Sequence, residues 1–194
     1  MLFNLVDNFY EPNDLGLMVM NFLNLNFTPT FQPQGNYFGG DRMKAYPCYE
    51  TKSLISNGEN PFSPFNIFKK TLENKTGITP LKMYTFFRKT KLDELKKSPS
   101  WNKYKQHCDA KDYDLAGIIY FNSNSLNDGT NFYNSLDDYE PTAVIGARNN
   151  RCVLYSTQTP HSPVSTQEVE ERWVQPFFVI TKEETLELHK EKNI

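Results

Sequence analysis

The sequence predicts a mainly β chain of the α+β class, with helices first and an antiparallel sandwich or barrel after them. Three observations carry this. Aromatic residues reach 14%, with 15 Phe and 11 Tyr, a composition that favours an aromatic-rich β core. Apolar residues recur at helical spacing only before about residue 80. From residue 81 onward the chain breaks into short apolar runs at regular spacing, divided by turn residues. A length of 194 residues suits one domain with a real core. We read residues 1–194 as that single domain: a helical and loop part over 1–80, a β-barrel core over 81–181, and a C-terminal helix over 182–194.

The elements follow in order. "EPNDLGLMVMNFLNLN" reads as a helix, with Asn13 or Asp14 placed to cap it and Leu15, Met18, Phe22 and Leu23 near one face. "FTPTFQPQGNYFGGDRMKAYP" is rich in Pro, Gly and aromatics, and reads as loop with some edge strand; residues 31–52 are expected to form a lid over the barrel mouth, since long loops often carry specificity. "NPFSPFNIFKKTLENKTG" reads as a second helix, capped by Ser63 before Pro64 and ended near Gly77. Residues 81–89 ("LKMYTFFRK") form a strand. "KLDELKKSPSWNKYKQ" is a charged surface insertion, helical or irregular. The near-continuous apolar run 115–122 ("LAGIIYFN") is a buried strand. After the turn "NDGT", further strands fall at 131–133, 142–147, 151–156 and 172–180, with "RNN" read as a tight hairpin between the fourth and fifth of these six. "KEETLELHKEKN" is a charged C-terminal helix, on which His189, among Glu187, Lys190 and Glu191, reads as solvated.

The totals narrow the class of function. With 21 basic against 23 acidic residues, the chain lacks the basic excess that a phosphate-dominated nucleic-acid surface needs, and no nucleic-acid partner is expected. "LGLMVMNFLNL" is too short and too interrupted by Asn to span a membrane, so no membrane partner is expected either. The opening residues lack the basic and apolar regions of a secretory signal. Cys48, Cys108 and Cys152 are odd in number and form no CxxC pair; a reducing, cytoplasmic setting is expected.

The chemistry concentrates in "YKQHCDAKDYDLAGIIYFN". On extended backbone, side chains at i and i+2 share a face, so His107 and Asp109 are placed to grip one ion while Cys108 points away. His161 lies 52 residues after Asp109, in a Pro-flanked loop after a strand. Two imidazoles and one carboxylate make the facial triad of non-haem Fe(II) oxygenases, which leaves adjacent metal positions open. Arg172, eleven residues after His161, opens the next strand; its planar fork suits bidentate capture of a carboxylate. Tyr120, at the end of the strand that follows His107-x-Asp109, is placed to offer a hydroxyl to the same carboxylate. Each residue also has a plainer reading: an exposed His beside a solvated Asp, a core Tyr at 120, Arg172 paired with Glu168, Glu170 or Glu171, Gly129 as turn chemistry, Arg148 and Arg151 on a solvated hairpin, and Trp101 and Trp173 as packing residues.

Taken together, His107-x-Asp109, "GIIYFN", "DGTNFY", "VLYSTQTPHSP" and "ERWVQPFFV" resemble the Fe(II)/2-oxoglutarate-dependent dioxygenases of the prolyl 4-hydroxylase-like branch, over about residues 81–181. The opening "LVDNFYEPNDL" is similar to the starts of small members of this superfamily, some from phages and marine bacteria. The resemblance implies a double-stranded β-helix, a jelly-roll or cupin-like barrel, flanked by N-terminal helices. It implies Fe(II) on His107, Asp109 and His161, and 2-oxoglutarate as cosubstrate held at its 5-carboxylate by Arg172 and Tyr120. It implies use of O2 to hydroxylate an unactivated C–H bond of a peptide, an amino acid or a small metabolite, with release of succinate and CO2. Tyr84 is only a candidate for the family's first cosubstrate-binding Tyr, because the segment from Tyr84 to His107 is longer and more charged than the family pattern. A metal-binding jelly-roll without oxygenase activity, an isomerase or a ligand-binding module, is the competing reading. Arg172 discriminates the two, because a non-oxygenase has no need of a buried carboxylate clamp beside the metal.

Overall fold

A computed structural model of the chain describes residues 3–30, 48–54, 58, 60–97, 106–164 and 168–192. Eleven strands and four α-helices are seen among them: β1 (Phe3–Val6), α1 (Pro12–Asn24), β2 (Thr28–Pro29), β3 (Tyr49–Glu50), α2 (Pro64–Thr76), β4 (Lys82–Thr85), β5 (Arg88–Lys91), α3 (Leu92–Lys97), β6 (Leu115–Tyr120), β7 (Thr130–Phe132), β8 (Ala143–Ile145), β9 (Arg151–Ser156), β10 (His161–Pro163), β11 (Glu171–Ile180) and α4 (Glu183–Lys192). Eight strands form a main sheet in the order β1-β9-β6-β11-β5-β3-β2, with β4 also on β11. A minor sheet runs β10-β7-β8. All the pairs are antiparallel.

The two faces of the main sheet follow from the alternation of its central strands. Phe177 and Val179 on β11, Ile119 on β6, and Cys152 and Leu154 on β9 pack outward with Met18 and Phe22 of α1 and with Ile67, Phe68 and Leu72 of α2. Their neighbours in sequence, Val174, Tyr120, Ala116, Val153 and Tyr155, turn inward and pack with Phe132 and Ala147, where the minor sheet closes over them. Side chains of period two in one strand thus build two separate cores. Trp173 faces outward and stacks on Phe22, with ring centroids 4.7 Å apart, as expected of a packing residue.

The helices match expectation at one cap and depart from it at the other. Ser63 accepts from the Asn66 N–H at the start of α2, and Gly77 ends that helix in the left-handed region at φ 72°, which favours glycine. At α1, Glu11 holds the cap position without a side-chain bond, and Asn13 and Asp14 lie inside the first turn. Pro12 removes an N–H that would have needed a cap there.

Four readings of the strands are corrected. The segment 1–80 holds more strand than expected: β2 is the edge strand anticipated after α1, but β1 and β3 join the main sheet as well. The strand expected over 81–89 is two strands, β4 and β5, separated at Phe86 and Phe87. The break lies against Pro176: the Pro176 carbonyl accepts from the Phe86 N–H and the Thr85 hydroxyl, and its missing donor falls on the same side, where no ladder bond can form. Arg148–Asn150 is not a hairpin between paired strands. β8 pairs with β7 and β9 pairs with β6, so the chain crosses there from one sheet to the other. At the crossing, Asn150 adopts φ 61°, and its amide bonds the backbone N–H and carbonyl of Tyr10. Arg148 and Arg151 there bind Asp7. Last, His161 opens a strand, β10, rather than standing in a loop.

His189 is also corrected. It is 6% exposed, bonds Asp112 through Nδ1 at 3.2 Å and packs edge-on against Tyr113, which docks α4 on the barrel. Of the expected lid, residues 48–52 are described and contribute β3. Residues 31–47 and Trp101 lie outside the described residues. Among those described, no helix is long and apolar enough to cross a membrane.

Candidate metal and carboxylate site

The site begins with an isolated antiparallel bridge between His107 and His161. Each backbone N–H donates to the other's carbonyl at 2.9 Å. Two residues on, the Asp109 N–H donates to the Thr157 carbonyl at 2.8 Å. This extended backbone puts His107 and Asp109 on one face. Cys108 points elsewhere, its thiol donating to the Gln158 carbonyl at 3.3 Å. One ligand atom from each of His107, Asp109 and His161 lies within 4.8 Å of the others. His107 Nε2 is 4.0 Å from Asp109 Oδ1 and His161 Nε2 is 3.6 Å from Asp109 Oδ2. Ligands about 2.1 Å from an ion and at right angles stand roughly 3 Å apart, so a slight contraction around a cation completes the geometry.

His161 is the most constrained of the three, at 5% exposed. Its Nδ1 lies 3.0 Å from the Thr159 carbonyl, which can only accept, so Nδ1 carries the proton and Nε2 presents its lone pair. The Tyr155 hydroxyl, 3.2 Å from Nε2, donates to that lone pair. Burial raises the Asp109 carboxyl above its usual range, an effect opposed by His161 and by the Arg88 guanidinium. A half-buried carboxylate beside two imidazoles gains from an arriving cation, whose charge water screens less there than at the open surface.

The second half of the site lies deeper. Arg172, 4% exposed, faces inward at the start of β11, opposite Thr90. Its guanidinium carbon stands 5.5 Å from the Tyr120 ring centroid, and Nη2 donates to the Gly129 carbonyl at 3.4 Å. The Tyr120 hydroxyl bonds the Thr130 hydroxyl at 2.6 Å. Burial raises the Tyr120 phenol, with Arg172 and the Thr130 bond opposing, so it is a neutral hydroxyl. Arg172 is therefore buried rather than a surface partner of the nearby glutamates, and Tyr120 is fully buried with its ring beside the guanidinium. Gly129 has more than a turn role: a Cβ there would meet the Ile145 carbonyl oxygen at 2.0 Å, so only glycine lets β7 and β8 close up beneath the guanidinium.

The register of the minor sheet links the halves. Phe132 lies opposite His161, and Thr130 opposite Pro163. The hydroxyl pair and guanidinium thus sit two strand residues from the metal-ligand level, roughly 7 Å along the strand. Thr130 and Tyr155 touch Tyr120 and His161 although sequence reasoning did not single them out; only their inward phase in the strands distinguishes them. Tyr84 is not with this group. It lies opposite Phe178, six positions along β11 from Arg172, and is 37% exposed. It packs on Phe86 and Phe178 at the barrel mouth.

No family model and no curated relative matches the sequence. Solved structures do match in three dimensions. A prolyl hydroxylase from Trichoplax adhaerens, in complex with a hypoxia inducible factor peptide fragment, superposes with a TM-score of 0.60 at 11% identity, over 96% of this chain and 86% of that one. A 2OG-Fe(II) oxygenase family oxidoreductase from Burkholderia pseudomallei gives 0.58 at 11% identity, over 93% and 86%. The epimerase SnoN, in complex with Fe3+, alpha ketoglutarate and nogalamycin RO, gives 0.57 at 11% identity, over 92% and 78%.

Proposed function

We propose that this chain, whose fold is the double-stranded β-helix of the 2-oxoglutarate–Fe(II) oxygenases, is itself such an enzyme. The reaction is hydroxylation of an unactivated C–H bond: substrate, O2 and 2-oxoglutarate give hydroxylated product, succinate and CO2. The observation that carries this reading is the pairing of His107, Asp109 and His161 with a buried guanidinium and two hydroxyls further along the barrel. The carboxyl carbons of an extended five-carbon diacid lie roughly 5 Å apart. Such a molecule suits a site with a cation at one end and Arg172 at the other.

His107, Asp109 and His161 would hold the iron, and bound iron supplies the activation of O2. The chain does the rest. The Thr159 carbonyl fixes the His161 tautomer. Asp109 offsets part of the cation's charge. Arg172, with the Tyr120 and Thr130 hydroxyls, takes the distal carboxylate of 2-oxoglutarate in a dry pocket, where charge-assisted hydrogen bonds are strongest. The inward Val153, Phe132 and Ala116 exclude water from the reacting end. The fold match to an epimerase that holds Fe3+ and alpha ketoglutarate keeps one further reading, the same cofactors used for C–H inversion, so the product must be identified.

The test is stepwise. Fe(II) is titrated anaerobically, then 2-oxoglutarate, each by calorimetry; O2 is then admitted and succinate measured. Stoichiometric Fe(II) binding followed by 2-oxoglutarate binding and succinate release supports the enzyme. Metal binding without any 2-oxoglutarate binding sinks it in favour of a metal-binding barrel.

A further inference from the structure

The wall of the barrel mouth carries a second charged constellation. Arg88 on β5 pairs with Val174 of β11, and Glu50 on β3 pairs with Arg88. Cross-strand partners share a face, and Val174 points inward, so both charges stand on the inner face. They form a direct pair: Arg88 Nε lies 2.8 Å and Nη2 2.6 Å from Glu50 Oε1. Their side chains keep 28% and 20% of their surface exposed, so solvent reaches the pair although Phe86 beside it is buried. The guanidinium leans over the Phe86 ring at 5.4 Å, toward Tyr84 and Phe178 and so toward the metal end of β11. Its charge is felt at Asp109 and, with that of Glu50, at Tyr84.

We propose that this pair and its aromatic surround bind the backbone of the primary substrate, and that this substrate is a free L-α-amino acid with an apolar side chain. The inference rests on the oxygenase reading and deepens it. Arg88 takes the α-carboxylate, Glu50 the α-ammonium, and Tyr84, Phe86 and Phe178 receive the side chain. A neutral ion pair gives a lone anion or a lone cation little, since one partner attracts what the other repels. A zwitterion laid against it in the opposite sense gains from both. The nitrogen and carboxyl carbon of an α-amino acid are roughly 2.5 Å apart, the scale of the Arg88–Glu50 contact. A chain-internal peptide residue has neither charge and matches the pair poorly.

The experiment uses the full chain loaded anaerobically with Fe(II), with 2-oxoglutarate binding established first by calorimetry. Failure at that step overturns the oxygenase reading itself. With it secured, the twenty L-amino acids are screened by saturation-transfer NMR and calorimetry, alongside the N-acetyl and the carboxamide derivative of each one that binds. The expected result is binding of at least one apolar amino acid, weakened about tenfold or more by capping either end. Arg88→Gln and Glu50→Gln should each weaken it similarly, with 2-oxoglutarate binding retained. If these variants do not fold, the capping series on the parent protein decides. No amino-acid binding to the 2-oxoglutarate-loaded protein, or binding indifferent to capping, overturns the proposal and leaves the pair a sheet staple.

Discussion

The lone pair on His161 Nε2 has two claimants. The Tyr155 hydroxyl donates to it, and a cation held as proposed by His107, Asp109 and His161 would need it. Tyr155→Phe removes the competitor, and a net hydrogen bond is worth about 0.5–1.5 kcal/mol. Metal affinity should therefore rise roughly two- to tenfold, measured by competition with a chelator; weaker binding would show that the hydroxyl helps the metal instead. Arg172→Ala should act on the other ligand. Losing one partner of a buried charged pair costs about 3–5 kcal/mol, so 2-oxoglutarate should bind roughly two to three orders of magnitude more weakly, with Fe(II) affinity retained. Arg172→Lys should fall between, since it keeps charge and loses the fork. Equal affinity of the Ala variant and the parent in an anaerobic titration moves the clamp elsewhere. These site residues were legible unevenly, for physical reasons. His107 and Asp109 obey the two-residue period of extended chain, and Arg172 opens an apolar strand that has to bury it. Thr130 and Tyr155 are ordinary strand residues until the sheets bring them beside Tyr120 and His161. His189 misleads because its sequence neighbours are charged while its spatial neighbours are Asp112 and Tyr113.

Helices α1 and α2 both begin with Pro in the first turn, but only α2 has a side-chain cap. Ser63→Ala should destabilise the protein by about 1 kcal/mol, seen as a lower denaturant midpoint with an unchanged slope; no shift would mean that Pro64 alone sets the start of the helix. Element existence was readable where one period dominated, as in the buried run of β6 and in β9, which spans residues 151–156 in both the sequence reading and the structure. Element pairing was not. Nothing local distinguishes the Arg148–Asn150 crossing from a hairpin, because both need a residue at positive φ and Asn serves either. β1 escaped notice because its side chains are mostly exposed, and its place is fixed by backbone pairing with β9.

At the scale of the molecule, two carboxylates tie distant segments together. Hydrogen bonds from Arg151 hold Asp7 below its usual range, and this joins β1 to the sheet crossing. Burial pushes Asp114 upward, but bonds from Thr185, Thr181 and Lys182 outweigh it and lower the group overall, anchoring the start of α4. A carboxylate depressed in the folded state stabilises above its unfolded value of about 3.9 and loses that contribution as pH falls through the folded value. Asp114→Asn should therefore be less stable than the parent at pH 7, and the gap should narrow by pH 3, as followed by denaturant midpoints at both values. A gap that stays constant with pH would show that the effect is not ionic.

The position of β1 also bears on how the chain is made. Its partner Tyr155 lies opposite Phe3, so β1 has no strand to pair with until β9 has been made. Until then, α1 and α2 carry an apolar face whose cover, β6 with β9 and β11, has yet to emerge, and contacts of such sequence separation form slowly. The group of His107, Asp109 and His161 is likewise incomplete until His161 has been made. Until β9 and β11 follow, aggregation competes with closure of the sheet, and slower translation between β6 and β11 would lengthen that interval.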